Sequence, residues 1–307
     1  MLNDIQAEIL RQVADLAALP ETGAVNLRSD GQRAFHRDSE HVHIVSKTDK
    51  DGIDIHIDPG TKGETVHIPV VITKSGVKDL VYNDFFIGEG AEVKIVAGCG
   101  IHNCGGCDSE HDGIHTFHVG KNAKVTYVEK HYGEGDGAGK RILNPQTILY
   151  LEEGASVTLD TSQIKGVDDT KRYTRAVVGE NAEIVIQEKL LTHDSQKAES
   201  EMDVFLNGAG SKTRVVSRSV AQDSSVQIFY PRVEGNAPCF GHVSCDAIIM
   251  GEARVRAIPE ITCNHVDAGL IHEAAIGKIA GEQILKLMTL GLTAEEAEEK
   301  ILEGFLR

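Results

Sequence analysis

The 307-residue sequence has no tryptophan, and only 5% of its residues are aromatic. A surface that recognises bases or sugars by stacking is therefore poorly supplied. Basic residues are outnumbered by acidic ones, 31 to 47, and the net charge is -16. Such a chain repels phosphate backbones, so nucleic acid is not an expected partner. No apolar run approaches the roughly 20 residues of a membrane span. The opening MLNDIQAEILRQ also lacks the basic, apolar and small-residue succession of an export signal. The expectation is a soluble, cytoplasmic protein with no membrane partner. Proline is scarce at 7, whereas glycine reaches 31, so the chain turns on glycine.

What is present is periodic. Leu2, Ile5, Ile9, Leu10, Val13 and Leu16 recur at helical spacing, with Asn3 or Asp4 at the cap and Pro20 beyond the end. From His41 the period falls to two, in HVHIVSKT, GIDIHID and ETVHIPVVIT, as strands require. From Asp84 a unit recurs in six copies: DFFIGEGAEVKIV, HTFHVGKNAKVTYV, QTILYLEEGASVTLD, TRAVVGENAEIVIQ, DVFLNGAGSKTRVVS and DAIIMGEARVRAI. Each copy is a strand, a polar turn, a small residue (Ala91, Ala123, Ala155, Ala182, Ser211, Ala253) and a second strand. Gly90, Asn122, Gly154, Asn181 and Gly210, types that tolerate positive φ, precede five of the small residues. Such units gain a core by stacking on the next copy, which favours a β-solenoid over a sandwich of hairpins. After Glu273 two helices are expected, one carrying Ile284 to Leu290 and ended by Gly291, the other capped by Thr293 and Glu296. They either cover an exposed sheet edge or dock another protein.

Several stretches carry candidate chemistry. GEGDGAGKR, residues 133–141, resembles a phosphate loop in composition only: Glu134 and Arg141 stand where the loop needs Gly and Ser or Thr. It is expected to be a flexible, solvated loop. CGIHNCGGC spaces Cys99, Cys104 and Cys107 as C-x4-C-x2-C, with His102 between them, which suits zinc or an iron-sulfur cluster. A zinc-binding structural protein built on this loop is one alternative reading. A β-helix carbohydrate-active enzyme is another, disfavoured by the missing tryptophan and export signal. Cys245 lies in a strand, and His272 and Glu273 stand before the final helices. On residue type alone, Cys245 within DAIIM reads as a small buried hydrophobe, and His272 and Glu273 as residues that cap the next helix.

The order of residues in CDAIIMGEARVRAIPEI and then DAGLIHEAAIGKIAGEQILKLMTLGLTAEEAEEKILEGF resembles the C-terminal signature of the SufB/SufD family of iron-sulfur cluster assembly proteins. The resemblance runs from about His111 onward and is SufB-like in its site. It implies a mainly β chain with a right-handed parallel β-helix, a short N-terminal helix and a C-terminal helical region that docks a SufC-type ABC ATPase. It also implies cluster-assembly roles for Cys245, His272 and Glu273; His265 and Cys263, in the intervening strand, are second-choice ligands by position. The short N-terminal part is similar to the compact archaeal-type (SmsB) members, which pair with themselves. The role of Cys99, Cys104 and Cys107 is not carried by the resemblance. The expected organisation is a lead-in over 1–40, a β-helix over 41–271 and a helical region over 272–307. The expected function is a non-enzymatic scaffold. It builds a transient iron-sulfur cluster with sulfur from a donor and passes it to apo-protein acceptors.

Overall fold

The structure is a computed structural model that describes residues 3–16 and 18–306. Leu2, counted above toward the opening helix, lies outside them. Helix α1 (Asp4–Ala14) begins with a capping box between Asn3 and Gln6 and ends at Asp15 in the left-handed conformation. A hairpin of β1 (Ala24–Ser29) and β2 (Gln32–Arg37) follows, then β3 (Val42–Ser46), which pairs antiparallel with β4 (Gly52–Ile57).

From β4 the chain coils through about eight turns, each with one strand in either of two sheets. The turns are β4 with β5 (Lys62–Ile72), β6 (Lys78–Ile87) with β7 (Glu92–His102), and β8 (Ser109–Val119) with β9 (Lys124–Glu134). The fourth joins β10 (Arg141–Leu143) and β11 (Gln146–Leu151) to β12 (Ser156–Lys165). Next come β13 (Asp169–Val178) with β14 (Glu183–Thr192), β15 (Lys197–Leu206) with β16 (Ser211–Ala221), and β17 (Val226–Gly235) with β18 (Cys239–Ile249). The last joins β19 (Arg254–Ala257) and β20 (Glu260–Cys263) to β21 (Ala268–Gly277). Helices α2 (Gly281–Met288) and α3 (Ala294–Leu306) follow. Strands of successive turns pair in parallel, so the fold is the solenoid and not the sandwich of hairpins. Two strands are broken where proline, which lacks an N–H, interrupts the ladder: Pro145 between β10 and β11, and Pro259 between β19 and β20.

Because the side-chain period is two, every second residue of each strand faces the interior. There the turns stack like on like: Phe85 lies on Phe117 with ring centroids 4.2 Å apart, and Tyr127 meets Phe117 edge-on. The small residues of the repeat are buried at one corner, and Gly90, Asn122, Gly154, Asn181 and Gly210 all have φ between 53° and 73°. Glycine and asparagine are not interchangeable along this column. A Cβ on Gly154 would lie 2.4 Å from Asn122 Oδ1, and one on Gly210 would lie 2.4 Å from Asn181 Oδ1. Each asparagine thus fills the space above itself, and the next turn must supply glycine.

The sixth repeat copy belongs elsewhere. DAIIMGEARVRAI runs from β18 to β19, the opposite sense to the other five, and beside Gly251 the Glu252 N–H donates to Asp223 O at the second corner. That corner carries Asp194, Asp223 and Gly251 at positive φ. Both corners need a small or polar residue beside a tight turn, so residue type alone does not separate them.

Strand structure also begins earlier than His41. Strand β1 is buried on both faces, by the solenoid interior and by α1, so AVNLRS shows no alternation. Helix α1 seats Ile9, Leu10 and Val13 on the outer face of β7, where Gly98 and Gly100 admit it. A Cβ there would fall 2.2 Å from Val13 O and 2.1 Å from Ile9 Cγ2 respectively. The stretch 133–139 is not a free loop: Gly137 and Gly139 donate to Asn103 O and Gly105 O in the turn below, at 3.2 and 3.0 Å. At the other end, α3 rests on β16, with Arg218 Nη1 donating to Phe305 O. It does not cover the sheet edges, which β21 and β19 form.

Candidate functional site

The last turns of the solenoid hold the thiol and imidazole singled out in the sequence. In β18, Val243 and Cys245 face inward, and Cys245 is 4% exposed. Parallel pairing sets His272 beside Val243 and Ala274 beside Cys245. The His272 ring therefore reaches diagonally into the interior, where its Nε2 lies 3.3 Å from Cys245 Sγ. Burial pushes the Cys245 thiol up to about 12, and the carboxylates of Glu188 and Asp246 add to the effect. Burial also lowers the pKa of His272, with His242 adding to it, so the pair at neutral pH is a thiol and a neutral imidazole.

Glu273 does not join them. One residue further along β21, its side chain takes the outer face, where Oε1 lies 2.7 Å from His242 Nε2 and the carboxylate is 65% exposed. Nor do His272 and Glu273 cap a helix. Both lie within β21, and α2 begins only at Gly281, behind Ala280. Cys263, on β20, pairs with Gly235 and shares the inward face of Ile261, but it is exposed at the open end. His265 is held in its own turn, accepting the Asp267 N–H at 3.1 Å. The sequence reading passed over Cys239, which lies six residues before Cys245 on the same inward face. Burial raises its pKa, and the Cys263 thiol adds to the shift. An even separation along one strand was the available signal.

The three cysteines of CGIHNCGGC part company. Cys99 lies in β7 and faces the interior, 6% exposed, whereas Cys104 and Cys107 stand in the exposed loop beyond it. Cys99 meets His111 and His131. Burial opposes its charge, but the two imidazoles outweigh it and pull the thiol down to about 7. His111 is correspondingly pulled up to about 10 against its burial, by Cys99 and by Asp79, whose Oδ2 lies 3.0 Å from Nδ1. Arg28 holds Asp79 from the other side at 2.6 Å. Deeper in, Arg172 pairs with Glu129 and lies 3.8 Å from Glu188. Glu188 in turn accepts from Ser200 and Ser217, at 2.7 and 3.0 Å. Ser217 is the register neighbour of Cys245. A ladder of buried charge thus runs inside the solenoid toward the last turns. Its members occupy the same alternation as Phe117 and Val119, a parity visible in EHDGIHTFHV.

A zinc site on Cys99, Cys104 and Cys107 is therefore not assembled. Among the described residues, the one trio of metal-type ligand atoms lying within 4.8 Å of one another is His193, Asp194 and Asp223. It sits on the exposed second corner, where Asp223 Oδ2 already accepts the Asp194 N–H.

A parallel β-solenoid with inward thiols and an imidazole at its open end defines a class of protein able to present soft ligands to iron. Residues 79–305 match the family model described as SUF system FeS cluster assembly, SufBD core domain. The chain is 30% identical over 272 residues to an iron-sulfur cluster assembly SufBD family protein of Archaeoglobus fulgidus, covering 87% of this chain and 71% of that one. It is 28% identical over 243 residues to another from Methanocaldococcus jannaschii, covering 78% and 76%. The chain belongs to the SufBD family, and its role lies in iron-sulfur cluster assembly. The carbohydrate-enzyme alternative has no observation in its favour. No described helix is long and apolar enough to cross a membrane.

Proposed function

We propose that this chain is a non-enzymatic scaffold on which an iron-sulfur cluster is built and from which it is passed to acceptor proteins. The observation that carries this reading is the Cys245 and His272 pair, held 3.3 Å apart at the open end of a SufBD-family solenoid. Iron arriving there displaces the thiol proton, since metal binding and deprotonation of a ligand are one equilibrium. The neutral imidazole offers Nε2 without having to lose a proton. Cys263 and Cys239 are the nearest additional thiols on the inward face. A cluster held by fewer than four thiolates leaves more readily than one held by four.

The partner assignment has its own support. Leu285, Met288 and Leu290, in and just after α2, are 62%, 41% and 76% exposed, an apolar face fitted to a SufC-type ABC ATPase. The unpaired edges of β21 and β20 are fitted to a second copy of this chain. Glu273 and His242 lie on the outer face beside that edge, where a second copy would bring them toward its site.

The test is iron and acid-labile sulfide per chain after anaerobic reconstitution of the parent, Cys245→Ala and Cys104→Ser. Loss of both elements in Cys245→Ala alone is expected. Loss in Cys104→Ser with retention in Cys245→Ala would sink the reading.

A further inference from the structure

The loop after β7 exposes two thiols, Cys104 and Cys107, away from the site described above, and what they can do does not depend on the scaffold reading. Cys104-Gly105-Gly106-Cys107 is a C-x-x-C sequence on the surface, immediately after a strand that ends in His102. Cys104 Sγ lies 3.0 Å from His102 Nε2. On the other side of the ring, His102 Nδ1 lies 2.9 Å from Glu134 Oε1. The second oxygen of Glu134 accepts the Tyr132 hydroxyl proton at 2.9 Å. Strand register holds this line, because His102 and Glu134 are paired neighbours on β7 and β9. A thiol, a base within hydrogen-bond reach and a carboxylate orienting the base are the parts of an activated sulfur nucleophile.

The loop is built to keep its shape. Asn103 closes it, with Oδ1 accepting from Gly105 N at 3.0 Å and Nδ2 donating to Cys107 O at 2.8 Å. Ser75 Oγ, from the turn below, donates to Cys107 O and accepts from Cys107 N, at 3.0 and 3.2 Å. Gly137 and Gly139 lie so close on the far side that a Cβ on either would fall 2.4 or 2.1 Å from Gly105 O or Cys107 O. The loop is thus held in place on both sides, and both of its cysteines are exposed.

We propose that Cys104 and Cys107 form a thiol-disulfide exchange site, with Cys104 as nucleophile, His102 as its base, Glu134 as the residue that positions His102, and Cys107 as the resolving thiol. The substrate class is an accessible disulfide, on a protein or a small molecule. His102 Nε2 takes the Cys104 proton, and the thiolate attacks one sulfur of the disulfide. A Cys104 mixed disulfide forms, the old S–S bond breaks, and the leaving thiolate takes the proton. Cys107, as thiolate, then attacks Cys104 Sγ and expels the remaining half as its thiolate. The substrate gains two electrons, and the dithiol loses them in becoming a Cys104–Cys107 disulfide. An external dithiol restores it by the reverse exchange.

The experiment uses the full reduced chain under anaerobic conditions with a limiting amount of 5,5′-dithiobis(2-nitrobenzoate). The parent is expected to release both aromatic thiols from each molecule of reagent and to carry a Cys104–Cys107 bridge, read by mass spectrometry of the peptide 95–121. Cys107→Ser is expected to stop after one thiol, with the adduct on Cys104. His102→Gln and Glu134→Gln are expected to slow reaction at Cys104 by ~tenfold or more at pH 7, the gap closing as pH rises and hydroxide takes over the role of the base. A purely structural role would lower the rate equally at all pH values. Protection of the buried Cys245 from labelling, as in the parent, shows that each variant is folded, and Glu134→Gln serves if His102→Gln is not. A His102→Gln rate equal to that of the parent at pH 7, absence of the bridge in the parent, or zinc retained on the loop and blocking exchange would overturn the proposal.

Discussion

His272 and Glu273 are neighbours in the chain and point to opposite faces of β21: the imidazole lies 3.3 Å from Cys245 Sγ inside the solenoid, and the carboxylate lies 2.7 Å from His242 outside it. In the separated monomer, His272→Ala should therefore lower the iron retained after reconstitution more than Glu273→Gln does. Iron per chain in size-separated fractions checks this. If Glu273→Gln costs as much in the dimer fraction only, a second copy brings the outer face to the site. A larger cost in the monomer would contradict the face assignment.

The Cys245 thiol is buried and pushed up to about 12. Cys104 and Cys263 are exposed. Brief alkylation of the folded apo chain at pH 7.5 is expected to label Cys104 and Cys263 well before Cys245, as read by peptide mass spectrometry. Early labelling of Cys245 would mean that the open end breathes enough to admit solvent.

The Asp79 and His111 pair makes stability depend on pH in a stated direction. The folded state raises His111 to about 10, so its contribution is complete below the unfolded value near 6.5 and is lost as pH rises through 10. It lowers Asp79 to about 2, so that contribution is present above 3.8 and lost as pH falls through 2. Both contributions are complete between about pH 4 and 6.5. Above about 7 the Cys99 thiolate is a further partner of His111, so His111→Gln should destabilise substantially at pH 5 and 7.5 and least near pH 10, as read from urea midpoints at pH 5, 7.5 and 10. An equal cost at all three pH values would remove the charge from the explanation.

Arg172 is the cation between Glu129 and Glu188. Replacing it by Met leaves buried carboxylate uncompensated and should cost about 3–5 kcal/mol. The double variant Arg172→Met with Glu129→Gln should recover part of that loss, because the stranded charge is then gone. Urea denaturation of the parent, both singles and the double gives the coupling. Additivity would show that the two side chains do not share one network.

The corner column supplies a reciprocal test. Gly154→Asn alone meets Asn122 Oδ1 and should cost about 1–3 kcal/mol as overpacking. In a background carrying both Asn122→Gly and Asn181→Gly, which clears the turns below and above, the same change should cost much less, since asparagine tolerates the left-handed conformation that Gly154 adopts at φ 69°. Thermal midpoints of the parent, Gly154→Asn, the two-glycine background and the triple variant decide. A Gly154→Asn cost unchanged in that background would show that the conflict lies elsewhere.

By itself, the sequence determined the solenoid, the opening helix, the two closing helices and the family, because strand alternation, capping residues and the corner glycines and asparagines are local rules. Through the family resemblance it also marked Cys245, His272 and Glu273 as one group. Tertiary structure decided what faces what. A period of two sends His272 inward and Glu273 outward, and only the register of β21 on β18 reveals which is which. The alternation of β7 drew Cys99 into the core, and the end of that strand left Cys104 and Cys107 outside, splitting a cluster that spacing had joined. The coiling of the chain placed the sixth repeat at the other corner, since both corners accept similar residues. The ladder from Asp79 to Glu188 joins residues far apart in the chain, 32 for Asp79 and His111 and 43 for Glu129 and Arg172, distances over which sequence spacing says nothing and stacked turns say nearly everything.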